Sequence, residues 1–471
     1  MKHKNQISGT PLFLLLALSA LVSCNGGTLV DDPRIEDNDT SRLHTKDTIW
    51  RRVPMQRTIT KVQPMTGLVL WPDAARDLAD RYGNSIALEF SYCLPCAVVT
   101  GKVGETLQYD WSSFDRMLDD ISSRNHQAIV RFRYEYPNNT DVDGNKGTTA
   151  VPDYIKKRSD YHETYSKNPG GDGPTYYADW SNAELQWFTK QFYTDFNERY
   201  GSDPRIAFLE VGFGHWSEYH IYGTQLRLGT NFPTKEYQKE FFLHLSEVVT
   251  IPWAVSIDAA DNDYSPVPSD PALLALTFGL FDDSFMHKEH DKAQGEGYNE
   301  ECWQIINADN RWQRGVCGGE VSYYSEKDQR EFLNPNGLYG VTWEAASAKY
   351  HISFMIANDA PQTTYGTPER FKQASMLCGY RLKVLDCLTS EKETKVLVKN
   401  IGIAPLYKDA YLSVGDCRCK ESLLGLLPGE KREFIIPNEL ASPDLLQIVS
   451  DAILPTQKIE YECNISDEKT E

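Results

Sequence analysis

Apolar runs rich in branched residues alternate with amphipathic, charge-patterned stretches through most of the chain. Eight such runs can be counted, and after about residue 380 they give way to short alternating segments separated by turns. These observations predict an α/β protein, a (β/α)8 TIM barrel followed by a small C-terminal β-sandwich. A length of 471 residues exceeds one ordinary core and suits two domains.

The chain opens with Lys2 and Lys4 ahead of PLFLLLALSALV, a run too short to span a bilayer and shaped like a secretory signal. Leu21-Val22-Ser23-Cys24 follows and has the pattern of a lipobox, in which the cysteine is lipidated before cleavage on its N-terminal side. Residues 1–23 therefore read as a lipoprotein signal peptide and Cys24 as the lipidation site. Asn25 resembles the residue found in lipoproteins sent on to an outer membrane. The expected location is a bacterial cell envelope, lipid-anchored, on the periplasmic or surface side of the outer membrane. Residues 24–60 begin with the polar, acidic NGGTLVDDPRIEDNDTS and read as a flexible tether.

Residues 61–380 carry the expected barrel. Its strands are assigned to TGLVLW (66–71), SIALEFSY (85–92), QAIVRFRY (127–134), RIAFLEV (205–211), PWAVSID (252–258), GLFDDSFM (279–286), RGVCGGE (314–320) and GLYGVTW (337–343). Between them, SSFDRMLDDISSRN places apolar residues at helical spacing, and SNAELQWFTKQFYTDFNERYG opens on a capping pair and stops at Gly201. Residues 381–471 read as the sandwich, from the short runs YRLKVLDCLTS, TKVLVKNIG, AYLSVGD and KREFIIP and the turn at Pro428-Gly429.

Charge and composition narrow the partners. With 48 basic against 67 acidic residues the net charge is -19, which repels phosphate backbones, so no nucleic acid is expected. Aromatic residues reach 12 %, with 10 Trp and 26 Tyr, and their faces suit the C–H faces of sugars. Setting Cys24 aside from ten cysteines leaves nine, an odd number, so at least one thiol is expected to stay unpaired. Cys93-Leu-Pro-Cys96 and Cys417-Arg-Cys419 lack the neighbouring ligands of a metal site. Neither a metal nor a cofactor is expected.

In a parallel barrel, chemistry gathers at the C-terminal ends of the strands. Glu218 follows the fourth strand, Glu320 ends the seventh and Glu344 follows the eighth, while Arg131, Arg133 and Glu135 mark the end of the third and Asp258 that of the fifth. Glycosidic hydrolysis needs an acid on the leaving oxygen and a second carboxylate to attack or to activate water. Glu218 and Glu320 are the candidate pair. In FLEVGFGHWSEYH, Gly212 and Gly214 break the strand and can lift Glu218 to the mouth beside His215 and Trp216. Glu210, at the parity of Phe208, is expected to pair with Arg131 or Arg133. Candidate substrate contacts are His215, Trp216, Arg131, Arg133, Trp343, Glu344 and Asn358, with core packing the rival role for the tryptophans and a turn the rival role for Asn358 and Asp359. His215, His220 and His351 are read as hydrogen-bonding side chains.

RIAFLEVGFGHWSEYH, GGE, YHISFMIAND, GYRLKV and VKNIGIAPLY together resemble the bacterial family called domain of unknown function 4832, over most of residues 60 to 460. That family is described as beta-galactosidase-like or glycoside-hydrolase-like TIM barrels with a C-terminal sandwich. VGFGHWSEYH is also similar to the beta-amylase segment bearing a catalytic glutamate, which implies Glu218. The strand positions resemble those of the acid/base and nucleophile of clan-A glycosidases, implying Glu218 and Glu320. Ser217 stands where that clan has Asn. Two expectations follow: an envelope-anchored glycoside hydrolase acting on a polysaccharide or oligosaccharide by paired-glutamate chemistry, or a non-catalytic glycan-binding lipoprotein on the same scaffold.

Overall fold

The structure, a computed structural model, describes residues 48–138, 148–221, 223–288, 295–307, 309–357 and 361–466. Cys24, Asn358 and Asp359 lie outside the described residues.

Eight parallel strands close a barrel in chain order, from β1 (Gly67–Leu70), β2 (Leu88–Cys93), β3 (Gln127–Phe132) and β4 (Ile206–Val211) to β5 (Trp253–Ser256), β6 (Gly279–Phe285), β7 (Cys317–Val321) and β8 (Phe354–Ile356). The first seven coincide with runs read from sequence, β2 and β7 each extending one residue beyond. The eighth does not. GLYGVTW holds left-handed backbone at Gly337, Tyr339 and Gly340, which turns the chain instead of extending it, and Thr342 then caps the helix Trp343–Lys349 by accepting from the Ala345 amide. The closing strand is the short apolar Phe354–Ile356, which pairs β1 through Phe354 opposite Gly67.

Strand parity sorts the apolar side chains into two cores. Along β3, Ala128, Val130 and Phe132 point outward and pack under the helices, whereas Ile129 points into the lumen. The helix Ser112–Ser123 buries Phe114, Leu118 and Ile121 in the outer core, at the spacing of one helical face. The helix Ala183–Tyr200 starts where Asn182 accepts from the Leu185 amide, and Gly201 follows its last turn.

The lumen core is built on phenylalanine, with Phe208 and Phe354 stacked at 5.4 Å between ring centroids. Gly318 makes room for them, because a Cβ there would sit 2.4 Å from the Phe354 ring. This core runs on without interruption into the C-terminal sheets.

Those sheets use β9 (Leu382–Thr389), β10 (Thr394–Asn400), β11 (Tyr411–Val414), β12 (Cys417–Arg418), β13 (Lys431–Ile436), β14 (Leu446–Val449) and β15 (Tyr461–Ile465). One sheet has the order β13-β10-β9-β15 and is completed by Met55–Arg57, while Arg51–Arg52 pairs β9; the other runs β12-β11-β14. Residues 51–57 are therefore paired strands rather than part of a tether. Val396 and Phe434 from one sheet and Leu412 and Ile448 from the other share the sandwich core.

The sandwich seals the N-terminal face of the barrel. Lys408 Nζ donates to the Ile206 carbonyl at the foot of β4 (2.7 Å), Gln127 at the foot of β3 donates to Ala452 (2.9 Å), and Gln457 donates to Asn125 (3.0 Å). His351 belongs here too, stacked on Trp312 at 3.5 Å and bonded to the Ile403 carbonyl, remote from any strand's C-terminal end. A core shared this way unfolds as one unit. Calorimetry is expected to show a single transition for residues 48–471. A truncation after residue 380 exposes the phenylalanine layer and is expected to give insoluble protein; two separate transitions would contradict the shared core.

Candidate active site

At the C-terminal end of the barrel one cation organises everything near it. Arg131 points inward from β3 and is fully buried. Its Nε donates to Glu210 Oε2 of β4 at 2.9 Å, its Nη1 contacts Glu218 Oε1, and its Nη2 reaches Glu320 Oε1 of β7 at 3.3 Å. Nη1 also lies 3.1 Å from the Tyr92 hydroxyl of β2, which donates to Glu218 Oε1 at 3.0 Å. Phe281 and Phe90 sit under the guanidinium at 4.5 and 4.9 Å. Glu218 and Glu320, 102 positions apart in sequence (320 − 218), thus meet on adjacent nitrogens of one group.

The loop after β4 brings Glu218 there. Gly212 turns the chain back so tightly that a Cβ would lie 2.2 Å from the Ser217 carbonyl. Trp216, Ser217 and Tyr219 then take left-handed backbone, held by Ser217 N to Gly214 O, Glu218 N to His215 O and Tyr219 N to Phe213 O. Ser217 is buried and its hydroxyl donates to the Phe132 carbonyl at 2.9 Å, so it anchors the loop to β3.

Above the pair opens a cavity of about 350 Å³. Its aromatic walls are Trp71, Tyr92, Tyr136, Trp216, Tyr323 and Tyr324, and its polar wall is made by Asp172, His220 and Asp283 beside the two glutamates. Flat rings facing a few carboxylates suit a sugar, whose C–H faces stack while its hydroxyls donate. Glu218, His220 and Asp283 hold donor atoms all within 4.8 Å of one another, a spacing that would admit a cation. Glu218 Oε1 is already engaged by Arg131 and Tyr92, so an ion would have to compete with a guanidinium for it.

Protonation follows from burial. Desolvation raises Glu218 well above the usual carboxylate range; Arg131 opposes this, and Glu320 and Asp283 add to it. The same burial pushes Glu320 up to about 7, again opposed by Arg131 and reinforced by Glu210 and Asp283. Burial would also strip Arg131 of its proton, but Glu210, Tyr92, Glu218 and Glu320 reverse that and hold it charged.

The other sequence candidates divide. Trp216 lines the cavity, packed edge-on against Tyr136 at 5.8 Å. His215 sits behind that wall, fully buried, bonded to the Tyr177 hydroxyl at 2.8 Å and kept neutral because burial lowers it to about 3. Glu135 is buried and accepts from Ala178 N and Trp180 Nε1, tying down a neighbouring loop. Two candidates are misplaced by the wrong eighth strand: Trp343 is buried in a helix with its Nε1 on the Ala374 carbonyl, and Glu344 is half-exposed and paired with Arg370. Neither lines the cavity. Trp71 and Tyr92, absent from the sequence candidates, stand at the C-terminal ends of the first two predicted strands, and that position was the available signal. Asp283 lay inside a predicted strand, whereas nothing around Asp172 marked it.

Because folding raises Glu320, the folded protein keeps a proton that the unfolded chain releases. Its contribution to stability is full below the usual carboxylate range and is lost as pH climbs through about 7. Glu320→Gln removes that loss. Its unfolding midpoint is expected to exceed wild type at pH 8, by the equivalent of about 1–3 kcal/mol, and to converge on wild type toward pH 5 in scanning fluorimetry.

No family model matches the chain, and no curated protein does. Among solved structures it is similar to a GH39 beta-xylosidase from Caulobacter crescentus, at 11% identity, covering 76% of this chain and 84% of that one with a TM-score of 0.35. A family 39 glycoside hydrolase from the gut symbiont Bacteroides cellulosilyticus WH2 matches at 8% identity over 81% and 82%, with a TM-score of 0.36. Xylanase B from Clostridium stercorarium F9 matches at 12% identity over 63% and 88%, with a TM-score of 0.33.

Proposed function

We propose that the protein is a retaining glycoside hydrolase in which Glu218 is the general acid/base and Glu320 the nucleophile. One observation carries this reading: two buried glutamates meet on adjacent nitrogens of Arg131 at the floor of an aromatic cavity. Inverting enzymes hold their carboxyls about 6.5–9.5 Å apart to admit a water, and retaining enzymes about 5–5.5 Å. Carboxyls held on adjacent nitrogens of one guanidinium fit the shorter arrangement.

Glu218, the more strongly proton-retaining of the two, gives its proton to the leaving glycosidic oxygen. Glu320, held as a carboxylate by Arg131 Nη2, attacks the anomeric carbon and forms a glycosyl ester. Glu218, now ionised, takes a proton from water, whose oxygen displaces Glu320 and restores both groups. The rings of Trp71 and Trp216 at the cavity walls would hold a short stretch of sugar over the pair.

The second reading, a glycan-binding protein without turnover, rests on Ser217. Its hydroxyl donates to the Phe132 carbonyl, so the residue standing where clan-A enzymes have Asn does not line the cavity. By sequence we also infer the resemblance to domain of unknown function 4832 and attachment to the cell envelope through a lipid on Cys24.

Glu218→Gln and Glu320→Gln are each expected to keep the fold and sugar binding and to lose about 10²–10⁴-fold in kcat. The wild-type kcat/KM is expected to rise with pH through about 7 as Glu320 ionises, and to fall again where Glu218 loses its proton. A glycan panel that binds without any hydrolysis would favour the second reading. For the anchor, Cys24→Ala is expected to abolish labelling by a fatty acid; unchanged labelling would remove Cys24 as the attachment point.

A further inference from the structure

Arg131 has a near neighbour of the same type with a different fate. Arg133 lies two residues further along β3's line, at the same inward parity, and so about 6.6 Å nearer the barrel mouth. It is 8% exposed. Among the described residues it has no carboxylate partner and no side-chain hydrogen bond, and its Nε is buried without an acceptor. Its guanidinium lies 4.3 Å from the Tyr136 ring and 5.9 Å from the Tyr92 ring; both rings line the cavity, and Arg133 packs against them without itself joining the lining.

A buried cation without a counter-ion is costly, and ring stacking offsets only part of that cost. The four carboxylates in the cavity wall give it nothing: Glu218 and Glu320 are engaged by Arg131, while Asp172 and Asp283 face His220. Burial lowers the affinity of Arg133 for its proton, as expected of a charge awaiting a partner. Among the described residues nothing supplies an anion to this corner, and a planar carboxylate on a ligand suits a guanidinium fork.

We propose that the cavity selects sugars bearing an anionic substituent, a uronic acid carboxylate, held by Arg133 at the Tyr92–Tyr136 edge. The proposal rests on the glycoside-binding reading of the cavity and names its substrate class. Arg133 is a specificity residue, set apart from the pair that would carry the chemistry.

The test compares oligouronides (galacturonan, alginate and hyaluronan fragments) with the same oligosaccharides after carboxyl reduction, by calorimetric titration of the full chain. Wild type is expected to bind at least one uronide 10-fold or more tighter than its reduced counterpart. Arg133→Met is expected to bring that ratio close to one with the circular dichroism spectrum unchanged, and Arg133→Lys to give an intermediate ratio. The corresponding 6-O-sulfated neutral sugar is a further arm, and stronger binding of it than of every uronide would replace carboxylate by sulfate and overturn the proposal. So would equal binding of both members of every pair, absence of uronide binding, or a ratio that Arg133→Met leaves unchanged. The readout is affinity and not turnover. An Arg133-dependent preference without hydrolysis would sink the hydrolase reading alone, and hydrolysis confined to neutral glycans would sink this one alone.

Discussion

The guanidinium of Arg131 is the constraint on which the upper half of the barrel depends. It is fully buried, and it touches carboxylates from β4, from the loop after β4 and from β7. Three carboxylates against one cation leave the cluster short of positive charge, so protons must make up part of the difference, and the raised Glu218 and Glu320 report where. Removing a partner from a buried pair typically costs about 3–5 kcal/mol, because the remaining charge stays desolvated. Glu210 can therefore be essential to the site's charge state while touching nothing in the cavity.

Below that cluster the molecule solves a different problem. The lumen of a parallel barrel ends at an open N-terminal face, and the apolar layer there would otherwise meet water. The sandwich covers it, extending the lumen core into its own through Tyr380 and Leu382. Covering the foot leaves the C-terminal mouth unobstructed by the second domain, so the two ends of the barrel carry separate tasks.

Much of this was legible in the sequence. Seven strands, two helices and the Glu218–Glu320 pairing followed from periodicity and from the rule that barrel chemistry sits at strand ends. The eighth strand was misread because GLYGVTW has the apolar content of a strand, while its glycines and Thr342 serve a turn and a helix cap. That single error carried Trp343 and Glu344 into the candidate site. His351, read as a hydrogen-bonding side chain, does bond, to the Ile403 carbonyl at the foot of the barrel. The strands at 51–57 were hidden by their polar composition, since each lies at an edge of its sheet or pairs on one side, where alternation is weak. Asp172 had no strand end to announce it.

The phenylalanine layer beneath Arg131 also decides traffic. Phe90 and Phe281 under the guanidinium, then Phe208 stacked on Phe354, fill the barrel axis, and the sandwich closes what lies below. Among the described residues the cavity therefore has no passage along the barrel axis. A ligand that reaches the two glutamates consequently enters and leaves from the strands' C-terminal side.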